Sequence, residues 1–215
     1  MIDRTGFILA NTRLLAPPLV PEIRLHLAEE SLPIWRKTEE ELGEMGLPPP
    51  YWAFAWAGGQ ALARYVLDHP AEFEGKTVLD IGAGSGLAAI AAARVGARQV
   101  AAADIDALAV AAISLNAAAN SVTITATTDD WLSLDAPQGE ILLVGDLFYE
   151  RPLAERVMAF VRQCAGAGCR VLVGDPRRSY FPTDAFTAIA HYEVPVTREL
   201  EDAEIKRAAV WQLRH

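Results

Sequence analysis

The stretch "VLDIGAGSG", residues 78–86, decides the fold. A short apolar run enters three glycines at alternate positions, and the apolar segment "LAAIAAARV" (87–95) follows at once. A buried strand that turns through glycines into a helix is typical of the βα unit of a parallel sheet. Glycines let the backbone approach a ligand closely, and the helix N-terminus offers unpaired N–H groups. The stretch therefore predicts a ligand site at the carboxyl end of this strand.

Strands and helices alternate through the rest of the chain. Strands are predicted in 76–82, 98–106, 122–128, 139–148, 169–176, 192–200 and 205–214, and helices in 86–96, 107–120, 151–165 and 182–192. Apolar strands alternating with helices favour a parallel sheet that is covered on both faces. The prediction is a Rossmann-like, doubly wound α/β fold with a seven-strand, mostly parallel sheet and a terminal antiparallel strand pair.

The first fifty residues differ from this pattern. Two short helices are predicted in 21–30 and 33–45, each with a proline in its first turn, and "GLPPPYW" (46–52) then stops the helix. A further helix in 55–69 would place Ala61, Leu62, Tyr65 and Val66 on one face. The predicted organisation is an N-terminal helical extension (1–50) and one domain (51–215).

Composition limits the class of partner. The net charge is −9, with 28 acidic against 19 basic residues, which disfavours nucleic acid as a partner because phosphates are bound mainly by clustered Lys and Arg. No apolar stretch reaches the roughly 20 residues of a membrane span. The first residues lack the layout of a signal peptide, so we expect a cytoplasmic protein. Cys164 and Cys169 form no metal-binding spacing and are expected to be free thiols, and no metal is predicted.

The spacing of the glycines narrows the class of ligand that the site can bind. It reads G-x-G-x-G, whereas the dinucleotide fingerprint needs G-x-G-x-x-G. Asp80, two residues before Gly82, would repel a pyrophosphate, but it suits a ligand that carries an ammonium and a sulfonium, such as S-adenosylmethionine. Asp104 ends the second strand, where a carboxylate can accept both ribose hydroxyls. The predicted cofactor-binding residues here are Asp80, Gly82, Gly84, Gly86, Asp104, Ile105 under the adenine ring, and Asp130 and Trp131 at its edge.

Several polar and aromatic residues near the predicted site also have a purely structural interpretation. Asp104 or Asp106 can cap the following helix, and Trp131 can be a core residue. Asn116 is better explained by helix packing or capping than by ligand contact.

With these residues described, the chain resembles the class I, seven-strand S-adenosylmethionine-dependent methyltransferases: "VLDIGAGSG" resembles their first motif and "DID" (104–106) their second. "PPYWAFAWAGGQALARYVLD" (49–68) and "GDLFYE" (145–150) are similar to the lysine methyltransferases that carry a D-x-F-Y signature. The resemblance implies transfer of methyl groups from S-adenosylmethionine to protein lysines, with S-adenosylhomocysteine as the product. Over 48–178 it implies a bacterial enzyme, with the β subunit of electron transfer flavoprotein as substrate.

The second motif resembles the bacterial methyltransferase of ribosomal protein L11 equally well, so a ribosomal protein remains an alternative substrate. A small-molecule or nucleic-acid methyltransferase of the same fold typically carries N-P-P-Y where this chain has Asp146 and Leu147. A binding module that has lost the cofactor is a further alternative, disfavoured by the intact Asp80, Gly82 and Asp104. We expect a monomer.

The signature "DLFY" (146–149) supplies the predicted catalytic residues. A carboxylate stabilises a neighbouring ammonium and therefore does not favour the loss of its proton. Asp146 is accordingly expected to orient the incoming lysine or the methionine end of the cofactor and not to act as a strong base. Phe148 and Tyr149 would line the lysine channel, and Trp52 and Trp56 would close the cofactor pocket. In the structural alternative these aromatic residues only pack the core and the start of a helix.

Overall fold

The computed structural model describes residues 3–29, 49–135, 137–196 and 204–214. The helices of these residues are α1 (Arg4–Asn11), α2 (Ala57–Asp68), α3 (Leu87–Arg94), α4 (Ala107–Ala119) and α5 (Arg151–Gly166). The strands are β1 (Arg13–Leu15), β2 (Leu25–Leu27), β3 (Thr77–Ile81), β4 (Gln99–Ala103), β5 (Thr125–Thr127), β6 (Ile141–Gly145), β7 (Arg170–Asp175), β8 (Phe186–Pro195) and β9 (Ile205–Leu213). None of these helices is both long and apolar enough to cross a membrane.

Seven of the strands form one sheet in the order β5-β4-β3-β6-β7-β9-β8. Strands β3 to β7 pair in parallel, whereas β9 runs antiparallel to both β7 and β8. The predicted fold class is therefore confirmed. The strand order reverses at β3, which pairs with β4 on one side and β6 on the other. Open α/β sheets bind ligands in the crevice beyond the carboxyl ends of the strands at such a reversal.

Alternation along the strands builds a core on each face of the sheet. Val78 of β3 and Leu143 of β6 face the core that α2 and α3 cover, whereas Leu79 and Val144 face the core under α5. Because successive side chains of a strand point to opposite faces, continuous apolar runs are needed to fill both cores. The predicted apolar face of α2, with Ala61, Leu62, Tyr65 and Val66, is buried in the first core.

The helix predicted in 182–192 is wrong, because the chain there forms a short 3₁₀ turn, Thr183–Ala185, and then strand β8. Residues of β8 alternate in burial from Phe186 to Val194, and the whole strand pairs with β9 across one bulge between Ala188 and Ala190. The alanines of this segment favour a helix locally. Long-range pairing with β9, which also buries Phe186 and Val194, outweighs that preference.

The helix predicted in 21–30 is also wrong, because residues Leu25–Leu27 form β2, which pairs antiparallel with β1. Asn116 of α4 and Asn120, the residue after its end, hold this segment: their Oδ1 atoms accept the backbone N–H groups of His26 (2.7 Å) and Arg24 (3.0 Å). The described part of the extension, residues 3–29 and 49–50, thus contains one helix, α1, and a hairpin. The other helix predicted there, in 33–45, lies outside the described residues.

Candidate active site

A cleft of about 520 Å³ opens at the carboxyl ends of β3, β4 and β6, beside the glycine loop. Its volume falls within the roughly 300–1,000 Å³ that is usual for small-molecule sites. The predicted site residues that line it are Trp52, Trp56, Gly82, Gly84, Asp104, Ile105, Asp130, Trp131, Asp146 and Tyr149. Residues more than ninety positions apart in the sequence are thus brought to one cleft by the parallel strands.

Asp104 ties the glycine loop to the end of β4. Gly82 and Gly84 have φ angles of 56° and 52°, in the left-handed region that favours glycine. The Gly84 N–H donates to Asp104 Oδ2 at 2.9 Å, and the Asp106 N–H donates to Oδ1 at 3.0 Å. A carboxylate has about four acceptor positions, so Asp104 can still accept hydroxyl groups from a ligand in the cleft.

Asp106 caps helix α4, as its structural interpretation predicted: its Oδ1 accepts the Leu108 N–H at 2.8 Å. Asp80 is buried at the end of β3 and accepts the Ala89 N–H at 3.1 Å. It lines a small space of about 60 Å³ that adjoins the cleft below the glycine loop. Burial, with a smaller contribution from the negative charge of Asp104, raises the pKa of Asp80 to about 7.

Two predicted residues line neither the cleft nor the adjoining space. Phe148 is fully buried, with its ring centroid 5.3 Å from that of Phe181 and 6.3 Å from that of Phe186, so its prediction as a wall of the lysine channel is wrong. Gly86 begins helix α3 at a φ of 79°, and a Cβ atom built there would lie 3.1 Å from Ile113. Gly86 serves the packing of α3 against α4 and lies away from the cleft wall.

The far end of the cleft carries the residues predicted at the adenine edge. Ile105 is 74% exposed. Asp130 accepts hydrogen bonds from Arg156 Nη2 (2.6 Å) and Ser133 Oγ (2.8 Å). Burial opposes ionisation of Asp130, but these hydrogen bonds and the charge of Arg156 outweigh it and lower its pKa. Trp131 is half-buried between the cleft and the core under α5.

Aromatic side chains form the opposite wall. The Tyr51 ring lies 5.7 Å from the Tyr149 ring and 6.0 Å from the Trp56 ring, centroid to centroid. Trp52 lies deeper and is 1% exposed, and its indole Nε1–H has no hydrogen-bond partner among the described residues. Buried N–H groups are nearly always paired, so an unpaired donor in the cleft wall fits a ligand that supplies an acceptor.

Asp146 stands where β6 ends, with a φ of 57° that is unusual for a residue other than glycine. Its Oδ2 accepts the Gly59 N–H at 2.7 Å, from the first turn of α2. Its Oδ1 receives Arg178 Nε at 2.9 Å and Arg178 Nη2 at 2.7 Å. The Asp146 carboxylate is thus bound by the N-terminus of α2 and by an arginine, and the residue itself has an unusual backbone conformation.

The sequence prediction missed Gly59, Arg178 and Asp175. Asp175 is fully buried, and its Oδ1 accepts the Arg178 N–H at 2.7 Å. A signal for it was present, because "LVGD" occurs twice, at 143–146 and 172–175. The two copies pair in register in β6 and β7, Gly145 opposite Gly174, so each strand delivers an aspartate to the same edge of the sheet.

Comparison with protein families matches residues 61–144 to the family described as ribosomal protein L11 methyltransferase (PrmA). A Danio rerio protein named electron transfer flavoprotein beta subunit lysine methyltransferase is 35% identical over 217 residues, covering 98% of this chain and 83% of the relative. The Homo sapiens protein of the same name is 34% identical over 213 residues, covering 96% of this chain and 80% of the relative.

Solved methyltransferase structures share the fold. The ribosomal protein L11 methylase of Lactobacillus delbrueckii subsp. bulgaricus superposes with a TM-score of 0.54 at 22% identity, covering 79% of this chain and 84% of that one. Magnesium protoporphyrin IX methyltransferase of Synechocystis PCC 6803, solved with bound S-adenosylmethionine, also gives a TM-score of 0.54, at 19% identity over 74% of this chain and 80% of that one.

Proposed function

The chain belongs to the family of electron transfer flavoprotein β-subunit lysine methyltransferases, and we propose that it transfers methyl groups from S-adenosylmethionine to lysines of the β subunit of that flavoprotein. The observation that carries the proposal is the joint placement of the glycine loop with Asp146 and Tyr149 of the signature at one cleft. The near full-length similarity to relatives of that name supports the choice of substrate.

We propose that the cleft holds the cofactor with residues it already presents. Asp104 would accept the ribose hydroxyls, and Trp52 Nε1–H would find its acceptor on the bound molecule. Asp80, whose raised pKa of about 7 reflects burial, would be stabilised as a carboxylate by a nearby ligand cation. S-adenosylmethionine, when bound, supplies an electrophilic methyl group on a sulfonium.

The aromatic wall suits the other reactant. Tyr51, Trp56 and Tyr149 surround a path to the glycine loop, and ring faces attract an approaching lysine ammonium. Burial, with smaller contributions from Tyr51 and the charges of Glu150 and Asp104, raises the pKa of Tyr149 to about 12. Its hydroxyl therefore stays protonated at neutral pH and offers a donor and an acceptor along the path.

The main catalytic contribution of these residues is positioning. Holding two reactants in a productive geometry can supply about 7–11 kcal/mol of a barrier. Asp146 would orient the lysine amine towards the glycine loop, since it lines the cleft there. The remaining difficulty is the proton: at a pKa of about 10.4, only about one lysine in a thousand is neutral near pH 7.4.

The proposal is tested by incubating the protein with isotope-labelled cofactor and purified flavoprotein. We expect label on lysines of the β subunit by mass spectrometry. Exchange of the Asp104 carboxylate for an amide, Asp104→Asn, should weaken binding of S-adenosylhomocysteine about 10-fold or more in calorimetry, whereas Asp106→Asn keeps a good cap and serves as the matched control. If another protein were labelled and the flavoprotein were not, the proposal that the flavoprotein is the substrate would be wrong.

A ribosomal protein is the second candidate substrate, favoured by the family match over residues 61–144. That match spans α2 to β6 and ends before Asp146, so it supports the cofactor-binding part more than the acceptor side. Adding a ribosomal protein fraction to the same labelling assay separates the two candidates. We also propose that the protein acts as a cytoplasmic monomer in a bacterium, which light scattering and cell fractionation would test.

A further inference from the structure

The Arg178 guanidinium is bound to the Asp146 carboxylate at the wall of the cleft. Its Nε and Nη2 atoms lie 2.9 Å and 2.7 Å from Asp146 Oδ1, and its carbon Cζ lies 5.5 Å from the centroid of the Trp56 ring. The Arg178 side chain is 17% exposed, and Arg178 also lines the cleft. The turn that carries it is fixed by the Arg178 N–H, which donates to Asp175 Oδ1 at 2.7 Å.

Several contacts thus hold this cation in place before any lysine arrives. Breaking a largely buried ion pair is strongly unfavourable, because it leaves an uncompensated charge. An arriving lysine therefore meets Asp146 together with its arginine. The Asp146 charge is further offset by the N-terminus of α2, through the Gly59 N–H at 2.7 Å from Oδ2.

We infer that Arg178 is a positioning residue that neutralises Asp146, so that the acceptor site orients a neutral lysine amine without stabilising the ammonium. This inference rests on the proposed lysine methyltransferase function. An uncompensated carboxylate beside the lysine would raise the pKa of the amine and reduce the neutral fraction further. With Arg178 in place, Asp146 and Arg178 form an ion pair that as a whole carries no net charge.

The sequence of events follows from this charge balance. The lysine ammonium releases one proton to solvent as it enters the aromatic path. The neutral amine, oriented by Asp146, then uses its lone pair to form the new N–C bond, while the electrons of the broken C–S bond remain on sulfur. The methylated product is cationic, and a neutral Asp146–Arg178 pair does not retain it.

The other charged or titratable groups near the pair are acids, tyrosines and two further arginines, Arg177 on the same turn and Arg156 in the cleft wall. Asp175 faces it from the end of β7, and burial followed by the charge of Asp146 raises the pKa of Asp175 to about 7. The charges of Arg178, Glu150 and Asp104 act on the Tyr149 hydroxyl, and the Tyr51 ring lies beside that of Tyr149. Asp80 shares the small adjoining space with Asp146. Removing the Arg178 guanidinium would take away a positive charge that is bound directly to Asp146.

The test compares wild type with Arg178→Gln, Arg178→Lys and Arg177→Gln, using kcat/KM for the flavoprotein between pH 6.5 and 10. Arg178→Gln should move the apparent pKa of the rate profile up by about one unit, so that activity falls about 10-fold at pH 7 and approaches wild type at high pH. Arg178→Lys should restore much of the profile. Arg177→Gln is the matched control, because Arg177 Cζ lies 5.4 Å from the centroid of the Trp211 ring, on the same turn but against another partner.

A measurement without turnover separates this inference from the proposed substrate. The carbon-13 shift of the Asp146 carboxyl should titrate at a higher pH in Arg178→Gln than in wild type, with calorimetric binding of S-adenosylhomocysteine unchanged within about 3-fold. An unchanged carboxyl titration, or an equal loss of rate at every pH, would overturn the role of Arg178. If the carboxyl titration moves but wild type never labels the flavoprotein, the ion pair stands and the substrate is wrong.

Discussion

Asp175 is a buried carboxyl whose environment penalises its charge. Its Oδ1 accepts the Arg178 N–H, whereas its Oδ2 has no hydrogen-bond partner among the described residues. Burial, then the nearby charge of Asp146, raises its pKa to about 7 against the opposing effect of Arg178. The folded protein therefore prefers Asp175 protonated over a pH range in which the unfolded chain ionises it.

The sign of the resulting pH dependence can be worked out for Asp175→Asn. The folded pKa of Asp175 is raised from 3.8 to about 7, so wild type loses stability as the pH rises between these values. The variant keeps a carbonyl acceptor and does not ionise. We expect it to gain stability relative to wild type by on the order of 2 kcal/mol between pH 5 and pH 8.

Urea unfolding of both proteins at several pH values measures this difference. The raised pKa of Asp80 contributes equally to both proteins and cancels in the comparison. Parallel stability curves for wild type and variant would show that Asp175 is already ionised in the folded state at pH 5.

Some of the site could be predicted from residue types alone. Asp104 and Asp146 follow apolar strands, and the carboxyl ends of parallel strands meet at one edge of a sheet, so both were expected at the cleft. Phe148 and Arg178 could not be assigned this way. Phe148 is covered by Phe181 and Phe186 from later parts of the chain, and Arg178 reaches Asp146 from the loop after β7. Such pairings depend on tertiary packing, which local patterns do not encode.

At the scale of elements, the N-terminus of α2 lies directly on two strands of the sheet. A Cβ atom built on Gly58 would lie 2.2 Å from the Gly174 carbonyl oxygen of β7. A Cβ atom on Gly145 of β6 would lie 3.4 Å from the Gly59 Cα atom. This close approach is what allows the Gly59 N–H to reach the Asp146 carboxylate. The glycines of "WAGGQ" (56–60) thus connect the packing of a helix to the geometry of the site.

Gly58→Ala should separate α2 from the sheet. The added methyl group meets the Gly174 backbone, which cannot move aside as a flexible side chain would, and also Asp146 Oδ2 at 2.7 Å, so we expect a loss of about 1–3 kcal/mol in the free energy of unfolding. Gly59→Ala is the matched control, because among the described residues its Cβ would meet only Asp146 Oδ2, at 3.8 Å, and alanine favours the helix. Chemical denaturation measures both variants. Equal stability of the two would contradict the close contact between Gly58 and Gly174.

The elements that were predicted wrongly share one physical cause. In both β2 and β8 the local sequence favoured a helix, but each segment pairs with a strand elsewhere in the chain, β1 or β9. The central strands β3, β4 and β6 were predicted correctly because their burial on both faces leaves a continuous apolar run in the sequence. Partly exposed strands at the periphery carry a weaker signal, since neighbours that are distant in sequence decide their pairing.

At the scale of the molecule, the N-terminal segment contributes to the main core. Val20, Ile23 and Leu25 are fully buried in the same cluster as α2 and α3, and α1 packs against α4. The division of the chain at residue 50 remains a prediction. A role of residues 1–45 as a lid that docks the protein substrate is a separate hypothesis. Because these side chains are fully buried, we expect residues 20–25 to contribute to the stability of the core.

Deletion of residues 1–45 distinguishes a part of the core from a lid. Removing Val20, Ile23 and Leu25 exposes apolar surface of α2 and α3, and each deleted core side chain costs about 2 kcal/mol or more. We therefore expect the shortened protein to lose its cooperative thermal transition or to melt far below wild type. Ile23→Ala should lower the free energy of unfolding by about 2–5 kcal/mol, whereas Leu9→Ala, at a side chain that is 51% exposed, should have little effect. If the shortened protein kept its melting temperature and bound S-adenosylhomocysteine normally, but showed a raised KM for its protein substrate, the segment would act as a docking lid.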